Sequence, residues 1–445
     1  MKTEKNLITA ITVRGYKSIC DELRAELRPL TVLAGANSSG KSSVMQPLLL
    51  LKQTLESAYD AGPLRLSGPN VRFTSADQLL SSAPGRPGTG SFAVGFETDG
   101  GLKVVLTYVK VGGAGFKTGS LDYDVKDAPG RITEGLTHDE IVRMLPGDWK
   151  HRHEEVVLPP GVPGYRWVVD QHRGFPAFSL RRETPAGEPV ISGPLISCMA
   201  PIIPTLEGLI HVPALRGNPE RAYAKTTSAG PDFPGTFENY VASVVSHWQA
   251  TAGEQGRLAE LGKGLEHLGL TWKVDATSVD DAHAELRVGR LVHGHRGGPP
   301  DMVNLADVGF GVSQVLPVLV ALLVARSGQI VYLEQPEIHL HPFAQRRLAN
   351  IVASAAERGV RVVMETHSAL LLREVQTLVA KGDLAADLVK LHWFTRSPDD
   401  GITRLSTADL DTHGAYGDWP EDFDEVHLDS EKAYLDAVEG RAGQG

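Results

Sequence analysis

An eight-residue run, Gly35-Ala36-Asn37-Ser38-Ser39-Gly40-Lys41-Ser42, constrains this chain more than any other feature. It fits G-x-x-x-x-G-K-[ST] and stands between an apolar strand pattern at 30–33 and an apolar helix pattern over 42–55. In that setting the glycines let backbone N–H groups wrap phosphate oxygens, the Lys41 ammonium reaches the outer phosphates, and the Ser42 hydroxyl faces Mg2+. Gly35 to Ser42, with Ser43 one step into the helix, are therefore the candidate nucleotide-binding residues, and ATP and Mg2+ the expected cofactors.

A second chemistry-bearing element lies far along the chain. The run 329–337, Q-I-V-Y-L-E-Q-P-E, reads as an apolar strand ending in acid, which makes Glu334 the candidate metal-side carboxylate. Around it the pattern alternates between helices at 312–325 and 342–358, strands at 329–333 and 360–364, and a helix from Ser368. That rhythm predicts a largely parallel sheet with helices on its faces. The two α/β pieces are expected to form one core interrupted by an insertion, with short strands at 388–395 and 402–405 before a tail.

Between the pieces the texture is β-rich and punctuated. A strand is expected at 7–13, and a hairpin at 91–97 and 102–110 through Thr98-Asp99-Gly100-Gly101. From about 112 to 194 Gly, Pro and charge dominate, and only a helix at 138–145 is expected there. Helices follow at 235–248 and 255–268, then strands at 270–275 and 283–292. No heptad pattern is sustained, which excludes a long coiled coil.

The composition, 42% hydrophobic and 22% charged, is that of a globular chain, and 54 acids against 44 basic residues exclude a generally basic nucleic-acid coat. Binding DNA would require a local basic groove, for which only Arg346, Arg347, Arg358 and Arg361 are scattered candidates. Cys20 and Cys198 supply neither a disulfide framework nor a cysteine zinc site. The longest apolar stretch, 315–325, contains Pro317 and is too short to span a bilayer, and the first residues lack a secretory apolar core. A cytoplasmic location without membrane partners is expected.

Four motifs carry a family resemblance: GANSSGKSS, DVGFGVSQVLP, VYLEQPEIHLHP and METHSALLL, in that order. Together they resemble the ABC-type ATPase heads of the SMC, RecF and OLD proteins, and most of all the bacterial AAA-family ATPases of that group with a short C-terminal domain of unknown function. TVRGYKSI near the start and GDWPEDFDE near the end resemble the first strand and the C-terminal domain of that group. The resemblance implies an α/β P-loop NTPase of ABC-head type, a mixed sheet flanked by helices, with a β-rich and helical insertion between Walker A and the signature motif. It divides the chain into a first core lobe at 1–110, an insertion at 111–269, a second core lobe at 270–397, and a short acidic C-terminal domain at 398–445.

The same resemblance implies roles. Glu334 matches the Walker B acid and His367 the switch histidine at the γ-phosphate. Gly309, Gly311 and Ser313 occupy the signature position that caps the nucleotide of an opposite protomer, with Gly309 where serine is usual. Gln335 stands where the catalytic glutamate is usual, and an amide can orient water but cannot accept its proton. Either Glu337 supplies the carboxylate or hydrolysis is slow. His339 and His341 form an H-x-H without a third ligand at metal spacing. Arg216 and Gln78 are weaker candidates for contact with phosphate or nucleotide.

The function implied is an ATPase that forms a head-to-head homodimer around ATP–Mg2+ and acts as a nucleotide-gated switch in DNA repair or anti-phage defence. DNA and a nuclease or other effector protein are its candidate partners. The alternative is a nucleotide-dependent DNA-binding clamp with little productive hydrolysis.

Overall fold

Strands buried on both faces need continuous apolar runs, and the runs at 30–35 and 330–334 supply them. In the computed structural model they lie in one central sheet. The structure describes residues 6–58, 62–113, 115–125, 128–145, 165–183, 189–191, 195–226, 232–294 and 301–417. Along the chain come β1 (Ile8–Arg14), β2 (Leu23–Glu26), β3 (Leu30–Gly35) and α1 (Lys41–Leu55), then β4 (Ser91–Thr98), β5 (Leu102–Val111), β6 (Gly115–Val125) and β7 (Ala128–Thr133). A peripheral region follows with α2 (His138–Met144), β8 (Tyr165–His172), β9 (Phe175–Glu183), β10 (Pro189–Ile191) and α3 (Ile203–Glu207).

The chain returns to the core through β11 (Ile210–Val212), β12 (Tyr223–Ala224), α4 (Val241–Ala250), α5 (Gln255–His267), β13 (Val274–Ser278), β14 (His283–Gly289) and β15 (Met302–Asn304). The final third holds α6 (Phe310–Val324), β16 (Ile330–Glu334), α7 (Pro342–Glu357), β17 (Arg361–Thr366), α8 (Ala369–Lys381), β18 (Val389–Arg396) and β19 (Thr403–Ala408).

The central sheet runs β11-β16-β17-β3-β18-β19, parallel throughout except for the last pair. The two α/β pieces thus form one core, with the strand before the glycine loop seated between β17 and β18. Side-chain alternation divides the residues of this sheet between two cores. Leu30, Val32, Val331, Leu333, Val362 and Met364 face the core that contains α4 to α8. Leu33, Ile330, Tyr332, Val363 and Phe394 face α1 and the antiparallel sheet β2-β1-β4-β5-β6-β7. By this parity Glu334 and Glu365 stand on the α1 face, beside Tyr332.

Several expectations are corrected. The region from 112 to 194 contains five strands that its Gly and Pro content concealed. β6 and β7 extend the antiparallel sheet beyond β5, and position 110/111 lies inside β5 itself. The strand expected at 270–275 begins at Val274, because Gly269 turns left-handed at φ 76° and the Leu270 N–H closes α5 on the Leu265 carbonyl. The helix expected from 235 opens with a 3-10 turn, Phe237–Tyr240, before α4. The strand expected at 360–364 continues through Thr366, which places Glu365 inside the sheet. The end of the acidic C-terminal segment, 418–445, lies outside the described residues.

Candidate functional site

The glycine loop links β3 to α1, and its glycines are required by close approach. A Cβ on Gly35, at φ +138°, would meet the Phe394 carbonyl oxygen of β18 at 2.2 Å, and one on Gly40, at φ +104°, would meet Thr403 Oγ1 of β19 at 2.4 Å. Thr403 Oγ1 also donates to the Ser39 carbonyl at 2.8 Å and is hydrogen-bonded with the Ser18 hydroxyl at 2.7 Å. The β18–β19 hairpin therefore braces the loop against the GYKS turn. Ser38 adopts φ +61° in this loop, and Asn37 and Ser38 are exposed.

Within the loop, Lys41 Nζ donates to the Gly35 carbonyl at 2.9 Å and the Ala36 carbonyl at 2.7 Å. Burial lowers the Lys41 pKa while the charges of Glu365 and Glu337 raise it. Helix α1 starts at Lys41 with no side-chain cap and no acid in its first turn, so its amides are open to an anion. Beside it a cleft of about 450 Å³ is lined by Lys17, Ser38 to Ser43, Gln46, Gln78 and Arg396 among others. Gln78 thus borders the cleft, although its amide oxygen already accepts the Thr74 N–H at 2.9 Å. The cation, the open amides and the glycine-cleared loop suit a nucleotide triphosphate, with Ser42 and the nearby carboxylates as the groups to hold Mg2+.

The acids converge here through strand parity. Ser42 Oγ donates to Glu365 Oε2 at 2.8 Å, and the Tyr332 hydroxyl donates to Glu365 Oε1. Glu334, the acid singled out from the sequence, instead holds His211 Nε2 at 3.1 Å and the Ala214 N–H at 3.2 Å. Burial raises the Glu334 pKa, but the His211 and Ala214 hydrogen bonds outweigh it and the carboxyl lies below its ordinary range. Burial, with the charge of Glu334 beside it, pushes Glu365 up to about 7, against the lowering effects of Tyr332, Ser42 and Lys41. Burial therefore favours the neutral form of Glu365, and the hydrogen bonds to Glu334 favour its charged form.

This has a consequence for stability. Folded Glu365 binds its proton more tightly than the unfolded carboxyl, so its contribution is full below the ordinary 4.5 and is lost as pH rises through about 7. Glu365→Gln is expected to raise the thermal midpoint at pH 8 relative to pH 5, by the equivalent of about 2–3 kcal/mol. A difference from the unaltered protein that stays the same at both pH values would contradict this.

The other predicted residues are positioned as follows. Glu337 is buried; its Oε1 accepts from Thr366 Oγ1 at 2.6 Å and from the His367 N–H at 2.9 Å, while Oε2 is buried without a hydrogen-bond partner. His367 follows β17 beside the loop: burial and Lys41 push its pKa down, and the Gly35 carbonyl pulls it up. Gln335 adopts φ 43° and its N–H donates to the Glu365 carbonyl at 2.9 Å, which ends β16 and turns the chain toward Glu337. Gly309 caps α6 with no side chain, Gly311 lies in its first turn, and Ser313 Oγ donates to the Phe310 carbonyl at 3.0 Å. These three do not line the loop's cleft.

His341 caps α7 by accepting the Phe343 N–H, and among the described residues no cluster of three metal-ligating side chains is found. Arg216 contacts backbone carbonyls of Pro213, Gln314, Glu334 and Gln335. The basic candidates are similarly engaged: Arg346 with Glu374, Arg347 with the His267 carbonyl, Arg358 with the Leu322 carbonyl and Arg361 with the Leu27 carbonyl. Sequence reasoning missed Glu365, His211 and Tyr332. The available signal was a lone acid at the end of an otherwise apolar strand, at the parity of Tyr332 and Glu334.

One family model and several solved structures are similar to this chain. The family described as "AAA domain, putative AbiEii toxin, Type IV TA system" matches residues 30–101 and 239–373, just under half of the chain and including the loop, the signature region, the acidic strand and His367. Similar solved structures include the SMC head domain from Thermotoga maritima, at 10% identity and TM-score 0.40 over 91% of this chain and 100% of that one. A second is the Smc head domain with a coiled coil and joint from Pyrococcus yayanosii, at 9% identity and TM-score 0.46 over 92% and 98%. No curated protein matches the chain. Among the described residues no helix is long and apolar enough to cross a membrane. Over the matched residues, which carry Lys41 and Ser42 on the glycine loop, the acids on the neighbouring strands and His367, the chain is similar to this AAA-domain family.

Proposed function

We propose that the protein hydrolyses ATP and closes head to head with a second copy when ATP is bound. The observation that carries this reading is the meeting of Lys41, Ser42, Glu365, Glu337 and His367 at one end of the central sheet, where open α/β sheets collect ligands. Lys41 and the α1 amides bind the phosphates, and His367, pushed down in pKa, faces the loop from the other side. Magnesium, when bound, supplies charge neutralisation between the outer phosphates. The Gln335 side chain orients water but takes no proton, so Glu337, held beside His367 through its Oε1, is the candidate base for the attacking water.

The surface beside the signature helix supports closure with a second copy. Phe310 is 52% exposed at the first turn of α6 and leans on the His339 ring, with ring centroids 5.8 Å apart. Phe343 is 50% exposed at the start of α7 under the Arg347 guanidinium, 3.8 Å from its ring. Exposed aromatics next to the uncapped amides of α6 suit a face that another protomer covers. On this reading the protein works as a nucleotide-gated switch with a partner effector, in DNA repair or anti-phage defence.

The test is steady-state ATP hydrolysis by the pure protein, with and without double-stranded DNA, alongside its solution mass with and without ATP. Hydrolysis with an ATP-dependent doubling of mass is expected. Glu337→Gln should lower turnover by about a hundredfold or more while ATP affinity holds. An unchanged rate would remove Glu337 as the base, and absence of ATP-dependent association would remove the dimer.

A further inference from the structure

We propose that Glu365, and not the strand-end acid Glu334, is the carboxylate that serves Ser42 and the metal side of the nucleotide. The inference rests on the ATP-binding reading above and reassigns the acid within it. β17 lies between β16 and β3, so an acid at its end stands one strand from the glycine loop, whereas Glu334 stands two strands away. Glu334 and Glu365 are register partners, and both point to the α1 face. Only Glu365 reaches Ser42, through the 2.8 Å bond to Oε2.

The oxygens of Glu334 are committed elsewhere. His211 Nε2 holds Oε1 and the Ala214 amide holds Oε2. His211 is itself fixed by Asn70 Oδ1 at 3.1 Å and by stacking on Tyr332, with centroids 5.4 Å apart. Glu334 therefore ties β16 to the segment after β11. Tyr332 donates its hydroxyl to Glu365 Oε1, which leaves Oε2 to Ser42.

Without a cation, the Ser42 hydroxyl hydrogen points at Glu365. A cation at Ser42 needs the oxygen lone pair instead, and a carboxylate already at hydrogen-bond distance is placed to accept from water in the ion's shell. Glu365 is in this sense a positioning residue whose loss should reduce metal-dependent affinity by about 10- to 100-fold.

The experiment measures binding of a fluorescent ATP analogue in EDTA and in Mg2+, for the full-length unaltered chain, Glu365→Gln, Glu365→Asp and Glu334→Gln. The unaltered protein is expected to bind more tightly in Mg2+. Glu365→Gln should keep its affinity in EDTA and lose at least about tenfold of the Mg2+ tightening, Glu365→Asp should lose less, and Glu334→Gln should keep it. Mn2+ titrated into each protein with ATP and followed by electron paramagnetic resonance should show the same order.

Full Mg2+ tightening in both Glu365 variants, or its loss in Glu334→Gln alone, would overturn the assignment while leaving nucleotide binding intact. An unaltered protein that binds no analogue in either condition would overturn the nucleotide reading itself. Thermal midpoints of the variants separate a binding loss from a folding loss, and Glu365→Asp keeps the carboxyl group if the glutamine variant fails to fold.

Discussion

Lys41→Ala loses about two to three orders of magnitude in ATP affinity, the largest functional effect expected of any single side chain here. The ammonium is the cation at the loop's crest, held over it by the Gly35 and Ala36 carbonyls at 2.9 and 2.7 Å. Phosphate oxygens offer stronger acceptors than those carbonyls, and charge-assisted hydrogen bonds contribute roughly 1.5–3 kcal/mol each. Two such contacts correspond to the stated loss in affinity. The fold should be nearly indifferent, because alanine keeps the helix start and removes a cation that burial disfavours. Calorimetric titration with ATP and a melting curve read the two effects separately. A variant that retains full affinity with an unchanged melting curve would remove the basis of the functional reading.

Arg216→Ala should produce the largest loss of stability. The side chain is 7% exposed and donates to four backbone carbonyls: Pro213 at 2.9 Å, Gln314, Glu334 at 3.0 Å and Gln335 at 2.9 Å. It thereby fastens the end of β16 to the N-terminal part of α6 and to the segment after β11. Burial brings its pKa down to about 10, so it remains a cation at neutral pH. Truncation leaves these carbonyls in a site closed to water, at a cost of about 3–5 kcal/mol against a typical total of 5–15.

The thermal midpoint should fall by several degrees, and turnover should fall with it because the Gln335 turn that leads to Glu337 loses its anchor. Arg216→Lys should sit between the two, since an ammonium cannot reach carbonyls on three elements at once. A midpoint within about one degree of the unaltered protein would show that the clamp is dispensable.

Much of the architecture was legible because local signals agreed with one another. The glycine loop between strand and helix, the apolar run before Glu334 and the α/β rhythm of the last third each follow from short-range pattern, and the parallel core agrees with them. The strands between 115 and 191 were not legible. Their stability comes from pairing partners and from one buried face, which Gly, Pro and charge on the other face disguise.

The site divides along the same line. Motif spacing pointed to Gly35, Gly40, Lys41 and Ser42, and the family resemblance pointed to His367 and, as one of two options, to Glu337. By itself the sequence determined the phosphate loop and the kind of sheet behind it, since backbone conformation and strand periodicity are local properties. Only the tertiary structure decided which acid Ser42 faces. Strand order placed β17 between β16 and β3, parity turned Glu365 to the α1 face, and His211 with the Ala214 amide occupied both oxygens of Glu334. Those contacts join residues from 120 to 323 positions apart, and no local pattern records which of two neighbouring strands lies closer to a helix.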